Sequence, residues 1–218
     1  MPRPGAAVMV LVVCAIWCCG ADAQEPAPPR IGPFVVDVQG TFPQFPTDLP
    51  QLADSRGLTL DELPGLGVGV NVGAHLYFLK WRAITFGVGG QLTLGRSHMG
   101  ASSPPGLPLT RAVTERFRSA APQLSFNFGT GNGWSYLSGG IGRSVLSIHP
   151  DDQEPGTADL ESLKTINYGG GARWFAKKHL AFSLDVRFYA IDPGTPVGSR
   201  GGGPRMTLMI IGVGASIK

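Results

Sequence analysis

The chain has 218 residues, 18 basic and 15 acidic, for a net charge of +3, and 43% of its residues are hydrophobic. So mild an excess of charge excludes the concentrated basic face of a nucleic-acid binder, and no nucleic-acid partner is expected. The length suits one domain, and 32 glycines with 19 prolines favour many turns over long helices.

The N-terminus is the first element. Arg3 supplies a positive start, Ala6 to Trp17 an apolar run, and Ala21-Asp22-Ala23 a small-x-small cleavage site before Gln24. Residues 1–23 therefore read as a secretory signal peptide. A lipoprotein signal is the rival, but Val13 and Trp17 are poor residues to precede a lipidated Cys14 or Cys18. Cleavage removes one base, Arg3, and one acid, Asp22, so the net charge stays at +3. All three cysteines go with the signal, which rules out a disulfide framework, a thiol nucleophile or a thiolate metal site in the mature chain. A short periplasmic leader, residues 24–33, with Pro26 to Pro29, then precedes a barrel spanning residues 34–218.

Eight alternating segments follow. In the first, Phe34 to Phe42, the residues Phe34, Val36 and Val38 point outward against Asp37, Gln39 and Thr41. The second is the clearest: Leu66, Val68, Val70, Val72, Ala74, Leu76 and Phe78 take every second position, with Gly67, Gly69, Asn71, Gly73, His75 and Tyr77 between. A period of two is that of a β-strand, whose successive side chains leave opposite faces. An unbroken apolar face opposite a small or polar one suits a strand with lipid outside and a polar lumen inside. Hydrocarbon offers backbone amides no partner, so such strands must close into a ring.

The third segment, Ala83 to Arg96, sets Ile84, Phe86, Val88, Leu92 and Leu94 against Thr85, Gly87, Gly89, Gln91 and Thr93. The fourth, ending near Phe128, alternates Leu124, Phe126 and Phe128 with Gln123, Ser125 and Asn127. The fifth starts at Trp134. Its outward set Leu137, Ile141 and Val145 gives way to Leu146 and Ile148, which predicts a bulge near Gly139, Gly140 or Gly142. The sixth carries Ile166, Tyr168, Ala172 and Trp174 opposite Asn167 and Arg173, and the seventh sets Leu180, Phe182, Leu184, Val186 and Phe188 against Ser183, Asp185, Arg187 and Tyr189. The eighth, about Arg205 to Lys218, offers Met209, Ile211, Val213, Ala215 and Ile217. Each is near the roughly 9 to 11 residues that a tilted strand needs to cross a bilayer.

Connections alternate too. Leu79 to Arg82, Gly129 to Gly133 and Ala176 to His179 are short, whereas Pro43 to Pro64, Ser97 to Ser119, His149 to Leu163 and Asp192 to Pro204 are long. Short turns on one side and long loops on the other mark an all-β, eight-stranded antiparallel up-and-down transmembrane β-barrel, with the short side periplasmic. Trp81, Trp134 and Trp174 each lie at or beside a short turn, and are expected to form the periplasmic aromatic girdle.

The layout resembles the small outer-membrane β-barrel family of the OmpA/OmpX type over essentially the whole mature sequence. Ile166-Asn167-Tyr168-Gly169-Gly170-Gly171-Ala172-Arg173-Trp174-Phe175, the turn Ala176 to His179, then Leu180 to Tyr189 look like that family's penultimate hairpin. The resemblance implies location in the outer membrane of a Gram-negative-type bacterium, insertion by the barrel-assembly machinery, and contact with outer-membrane lipid and lipopolysaccharide. Ala215-Ser216-Ile217-Lys218 departs from the aromatic ending of such barrels, which bears on the route of assembly. No appended peptidoglycan-binding domain is expected after the eighth strand.

An eight-stranded lumen is just wide enough for its own side chains. Asp37, Gln39, Asn71, His75, Gln91, Gln123, Asn127, Asn167, Arg173, Asp185 and Arg187 are expected to fill it as a polar network, with the opposite charges paired. Arg96, Arg116, Arg118 and Arg143 continue the lipid face of three neighbouring strands past the apolar band, where lipopolysaccharide phosphates would meet them. Lipid A deacylase barrels place a histidine two residues before a serine, a pairing absent around His75, His98, His149 and His179. No metal-site spacing, Gly-x-Ser-x-Gly elbow or phosphate loop occurs, so neither a catalytic residue nor a cofactor or metal is expected. The expected role is structural or interactive: anchoring in the outer membrane and presenting four surface loops to an extracellular partner. The alternatives are a lipid A-modifying enzyme, a narrow ion-conducting channel and a soluble ligand-binding barrel.

Overall fold

The computed structural model describes residues 32–103, 105, 109–129 and 133–218. The signal peptide, all but the last two residues of the leader, and Thr130 to Asn132 of one short turn lie outside them. Eight strands run in chain order: β1 (Phe34–Gln44), β2 (Val68–Trp81), β3 (Ile84–Met99), β4 (Val113–Phe128), β5 (Gly133–Pro150), β6 (Leu163–Lys177), β7 (Leu180–Ile191) and β8 (Met206–Ile217). Each pairs antiparallel with the next, and β8 returns to β1, setting Val38 opposite Ala215 and Gln39 opposite Gly214. Closure leaves no unpaired edge, as a sheet facing hydrocarbon requires.

The period of two decides the two faces. Val38, Val72, Leu92, Leu124, Ile166 and Phe182 stand exposed on the outer wall, while Gln39, Asn71, Gln91, Gln123, Asn167 and Ser183 beside them are buried. From Phe128 to Arg118 the outer wall of β4 climbs about 25 Å, at about 3.3 Å per residue and a tilt of about 40°, and that is the height of a lipid-facing band. Trp81 and Trp174 lie on this wall at the short-turn end, 59% and 49% exposed.

β5 corrects the expected bulge. It meets β4 on one register throughout, with Val113 opposite Pro150 and Phe128 opposite Ser135. The ladder lapses only opposite Pro122, which has no N–H to give, and a Cβ on Gly140 would stand 1.8 Å from the Pro122 carbonyl oxygen. Leu146 and Ile148 need no register shift because they point into the lumen, where they are buried. The wall does shift register twice, between Tyr77 and Leu79 and between Phe175 and Lys177, each time beside a short turn.

The lumen is not polar throughout. Its long-loop third is lined by Val113, Phe117, Leu146, Ile148, Ile191, Leu208 and Ile210, and onto these the first long loop folds down. That loop contains helix α1 (Pro50–Arg56) and a 3-10 turn at Leu60–Glu62, and it buries Phe45, Leu52, Ala53, Leu58 and Leu63. Pro50 opens α1 with a preset φ, and Gly57 ends it in the left-handed conformation at φ 66°. The Leu58 N–H then closes onto the Ala53 carbonyl at 3.0 Å. A second helical turn, α2 (Thr157–Leu160), lies in the third long loop.

Candidate functional site

Below the apolar third, the polar side chains meet as one connected lattice. Arg173, from β6, is fully buried and grips Asp37 of β1 with two N–H groups, at 2.8 and 2.6 Å. Its third nitrogen donates to Asn127 at 3.2 Å, and the Ser216 hydroxyl donates to Asp37 at 2.5 Å. The Arg173 guanidinium also stacks 4.0 Å above the Tyr136 ring. On the adjoining strand β7, Arg187 holds Asp185 at 3.1 Å, and Tyr136 donates to that carboxylate at 2.6 Å. Arg187 donates besides to Ser138 at 2.8 Å.

Beside the ion pairs runs a chain of amides from β1, β2, β3, β4 and β6. Asn71 donates to Gln39, Gln91 to Asn71, and Gln123 to both Gln91 and Asn167. His75 joins at Gln123, 3.3 Å away, with its other ring nitrogen 4.0 Å from Asp37. The structure thus brings all eleven expected lumen residues to the inner wall. Seven further inward residues join them: Thr93, Ser125, Tyr136, Ser138, Ser183, Tyr189 and Ser216. Their inward parity was the available signal. The space between Gln39, Asn71, Thr93, Arg187 and Tyr189 does not admit a water-sized sphere.

Trp134 corrects the expected girdle. It is 1% exposed, inside the short-turn mouth, with its ring centroid 4.5 Å from that of Phe175. The Lys218 ammonium stands 4.6 Å from the Trp134 ring and 4.1 Å from Phe175, so the three side chains stop that end of the lumen. The cause is parity: Trp134 lies an odd number of residues from Leu137, whose outward direction the sequence makes plain.

Closing the other mouth takes polar clamps around the apolar plug. Arg111, next to the second long loop's return strand, donates to both carboxylate oxygens of Glu62 at 2.9 and 3.0 Å and to the Gly57 carbonyl at 2.8 Å. These hydrogen bonds hold the buried Glu62 carboxyl down to about 2. Arg56 reaches from α1 to the Ala158 carbonyl at 3.0 Å and lies 3.2 Å from Asp159. The third and fourth long loops are tied by Glu161, which accepts from the Thr195 N–H at 2.9 Å. Among the described residues, one inward acid has no such match. Glu115 of β4 is 0% exposed in the apolar third, opposite Ser97 and Ile148, and neither carboxylate oxygen has a hydrogen-bond partner. None of these clamps was expected from the sequence, where the long loops read as polar surface.

Of the four outward arginines, Arg96 stands directly opposite Arg116, and Arg118 opposite Leu94 and Val145. Arg143 is set apart, donating to the Ser162 carbonyl at 3.2 Å. Among the described residues, no group of three or more histidine, cysteine or carboxylate side chains has a metal-binding arrangement.

No family model matches the sequence, and no curated protein does. Solved structures do match the fold. Neisserial surface protein A (NspA) superposes with a TM-score of 0.55 at 12% identity, covering 89% of this chain and 99% of that one. Ail, the attachment invasion locus protein of Yersinia pestis, solved in complex with the heparin analogue sucrose octasulfate, gives 0.52 at 12% identity, covering 84% and 96%. The chain therefore has the closed, eight-stranded, up-and-down fold of the small outer-membrane barrels.

Proposed function

We propose that this protein is an exported, outer-membrane barrel that conducts nothing and acts as an anchored platform for its four long loops. The supporting observation is that the lumen is stopped at both ends, by Trp134, Phe175 and Lys218 at one and by the first loop at the other, with a polar lattice between. A filled interior cannot serve as a pore, and a rigid wall that positions loops commonly carries function in those loops. Residues 1–23 would direct export, and the barrel-assembly machinery would insert the strands with the short turns in the periplasm. The loops are braced to one another through Arg56, Arg111 and Glu161, so they offer a preformed surface. Asp48, Asp54, Asp61, Asp152 and Glu154 are exposed on it. Ail was solved with a polysulfated sugar, whereas carboxylates in this arrangement favour a cationic partner.

Fractionation and conductance together test this reading. Cells expressing the full chain should carry it in the outer membrane as a compact species that shifts on heating in detergent. Purified protein should give no steps in a planar bilayer, and lipid A mass spectra should be the same with and without it. Recovery from the soluble fraction, steady ion-selective steps or altered lipid A would each overturn it.

A further inference from the structure

Arg96 and Arg116 form a direct cross-strand pair on the outer wall, and Arg118 follows on the same face of β4. Like charges directly opposite each other destabilise a sheet unless something answers them. Among the described residues none of the three has an ion pair or hydrogen bond to the protein, although Arg56, Arg111, Arg173, Arg187 and Arg205 all do. One outward pair further from the apolar band, Asp151 is already engaged by His98 and Thr114, at 2.9 and 2.7 Å. The same three arginines, with Val68, Val70 and Leu94, line an open groove of about 610 Å³ on the outer wall. Three unanswered cations at the top of the lipid-facing band, lining an apolar slot, form an amphipathic site.

We infer that this groove binds one molecule of a phosphorylated, acylated glycolipid, the lipid A part of lipopolysaccharide. Its phosphate would lie between Arg96, Arg116 and Arg118, and one acyl chain along Val68, Val70 and Leu94. Guanidinium groups present planar pairs of donors that match phosphate oxygens, and a single anion relieves the repulsion of the Arg96–Arg116 pair. The acyl chain covers apolar wall that faces hydrocarbon in any case, so the phosphate supplies the selectivity. Arg143, already committed to the Ser162 carbonyl, lies outside the site. The inference rests on the outer-membrane placement proposed above.

The test uses the full mature protein in nanodiscs of zwitterionic phosphatidylcholine, titrated with bis-phosphorylated lipid A and read by native mass spectrometry. One lipid A per barrel should be retained, with at least a tenfold loss of affinity in Arg96→Gln/Arg116→Gln/Arg118→Gln and no loss in Arg143→Gln. Lipid A stripped of its phosphates should bind the wild type at least tenfold more weakly, which tests the site without altering the protein. Equal binding by the triple variant, by dephosphorylated lipid A or by cardiolipin would overturn the inference. Failure of the barrel to enter the nanodisc would instead overturn the membrane placement.

Discussion

The two parts of the lumen are filled by opposite means. Toward the short turns, the wall presents charges and amides, and these satisfy one another: Arg173 with Asp37, Arg187 with Asp185, and the amide chain beside them. Toward the long loops the wall presents Val113, Phe117, Ile148 and Ile210, which cannot satisfy one another across an open mouth and so draw in a separate segment, the helix α1 loop. The first filling is built by the strands themselves and is complete once the barrel closes. The second depends on a loop that must fold back. Such a difference predicts that damage to the lattice is felt by the whole barrel, whereas damage to the plug stays local.

Asp37→Asn should have the largest effect. It leaves the fully buried Arg173 guanidinium without its counter-charge, and breaking a buried pair from one side costs about 3–5 kcal/mol. Urea unfolding in lipid vesicles should show the loss as a single shifted transition. If the midpoint of unfolding is unchanged, the lattice does not hold the barrel.

Leu52→Ala tests the plug. Leu52 is 0% exposed, and trimming a buried leucine costs about 2–5 kcal/mol. Here the cost should fall on docking of the first loop: protease cuts within residues 45–67 should appear while the heat-modifiable barrel band persists. Loss of the band itself would merge the two regions into one cooperative unit. Glu115→Leu should act in the opposite direction. It replaces a buried carboxyl that has no hydrogen bond with a side chain matched to Phe117 and Ile148, and should stabilise loop docking by about 1–3 kcal/mol. Faster proteolysis of the loop in that variant would show that Glu115 has a partner in solution.

The contrast also separates what was legible in the sequence from what was not. Strand directions, the alternation of connections and the inward set were readable because a pleated strand allows only two faces and each segment declares its lipid side. Nearness to a turn favours the girdle for Trp134, but its odd spacing from Leu137 turns it inward, and the spacing decides. Leu146 and Ile148 mimic a slipped register because the rim of the lumen is apolar. Nothing local in Leu52, Ala53 or Leu58 reveals that they pack against Phe117 and Leu208, which lie in distant strands. The plug is a property of the closed barrel and became visible only with it.

Acid should loosen the plug through the Glu62–Arg111 pair. The Arg111 hydrogen bonds lower the Glu62 carboxyl to about 2, against about 4.3 in an unfolded chain. A group lowered on folding contributes stability that is present above the unfolded value and is lost as pH falls through the folded one. Loop docking should therefore weaken between about pH 4.5 and 2, with no change between pH 6 and 8 from this pair. A fluorophore on the exposed Asp54 position, read against pH, would follow it, and Glu62→Gln should flatten the dependence. An unchanged acid transition in that variant would assign the sensitivity to another group.

Tryptophan depth gives the smallest effect and the sharpest test of which way the wall faces. Trp81 and Trp174 stand on the outer surface at the short-turn end, whereas Trp134 lies behind the wall with Phe175 and Lys218. Lipids brominated near the headgroups quench by contact, so they should dim single-tryptophan variants that retain Trp81 or Trp174 and leave one that retains Trp134 nearly unchanged. Acrylamide added from the aqueous side should also spare Trp134, since the Lys218 side chain covers its ring from the mouth. Strong lipid quenching of Trp134 would reverse the inward parity of β5 at its start. Because Tyr136 and Ser138 share that parity, the same result would remove the hydrogen bonds that tie β5 to Asp185 and Arg187.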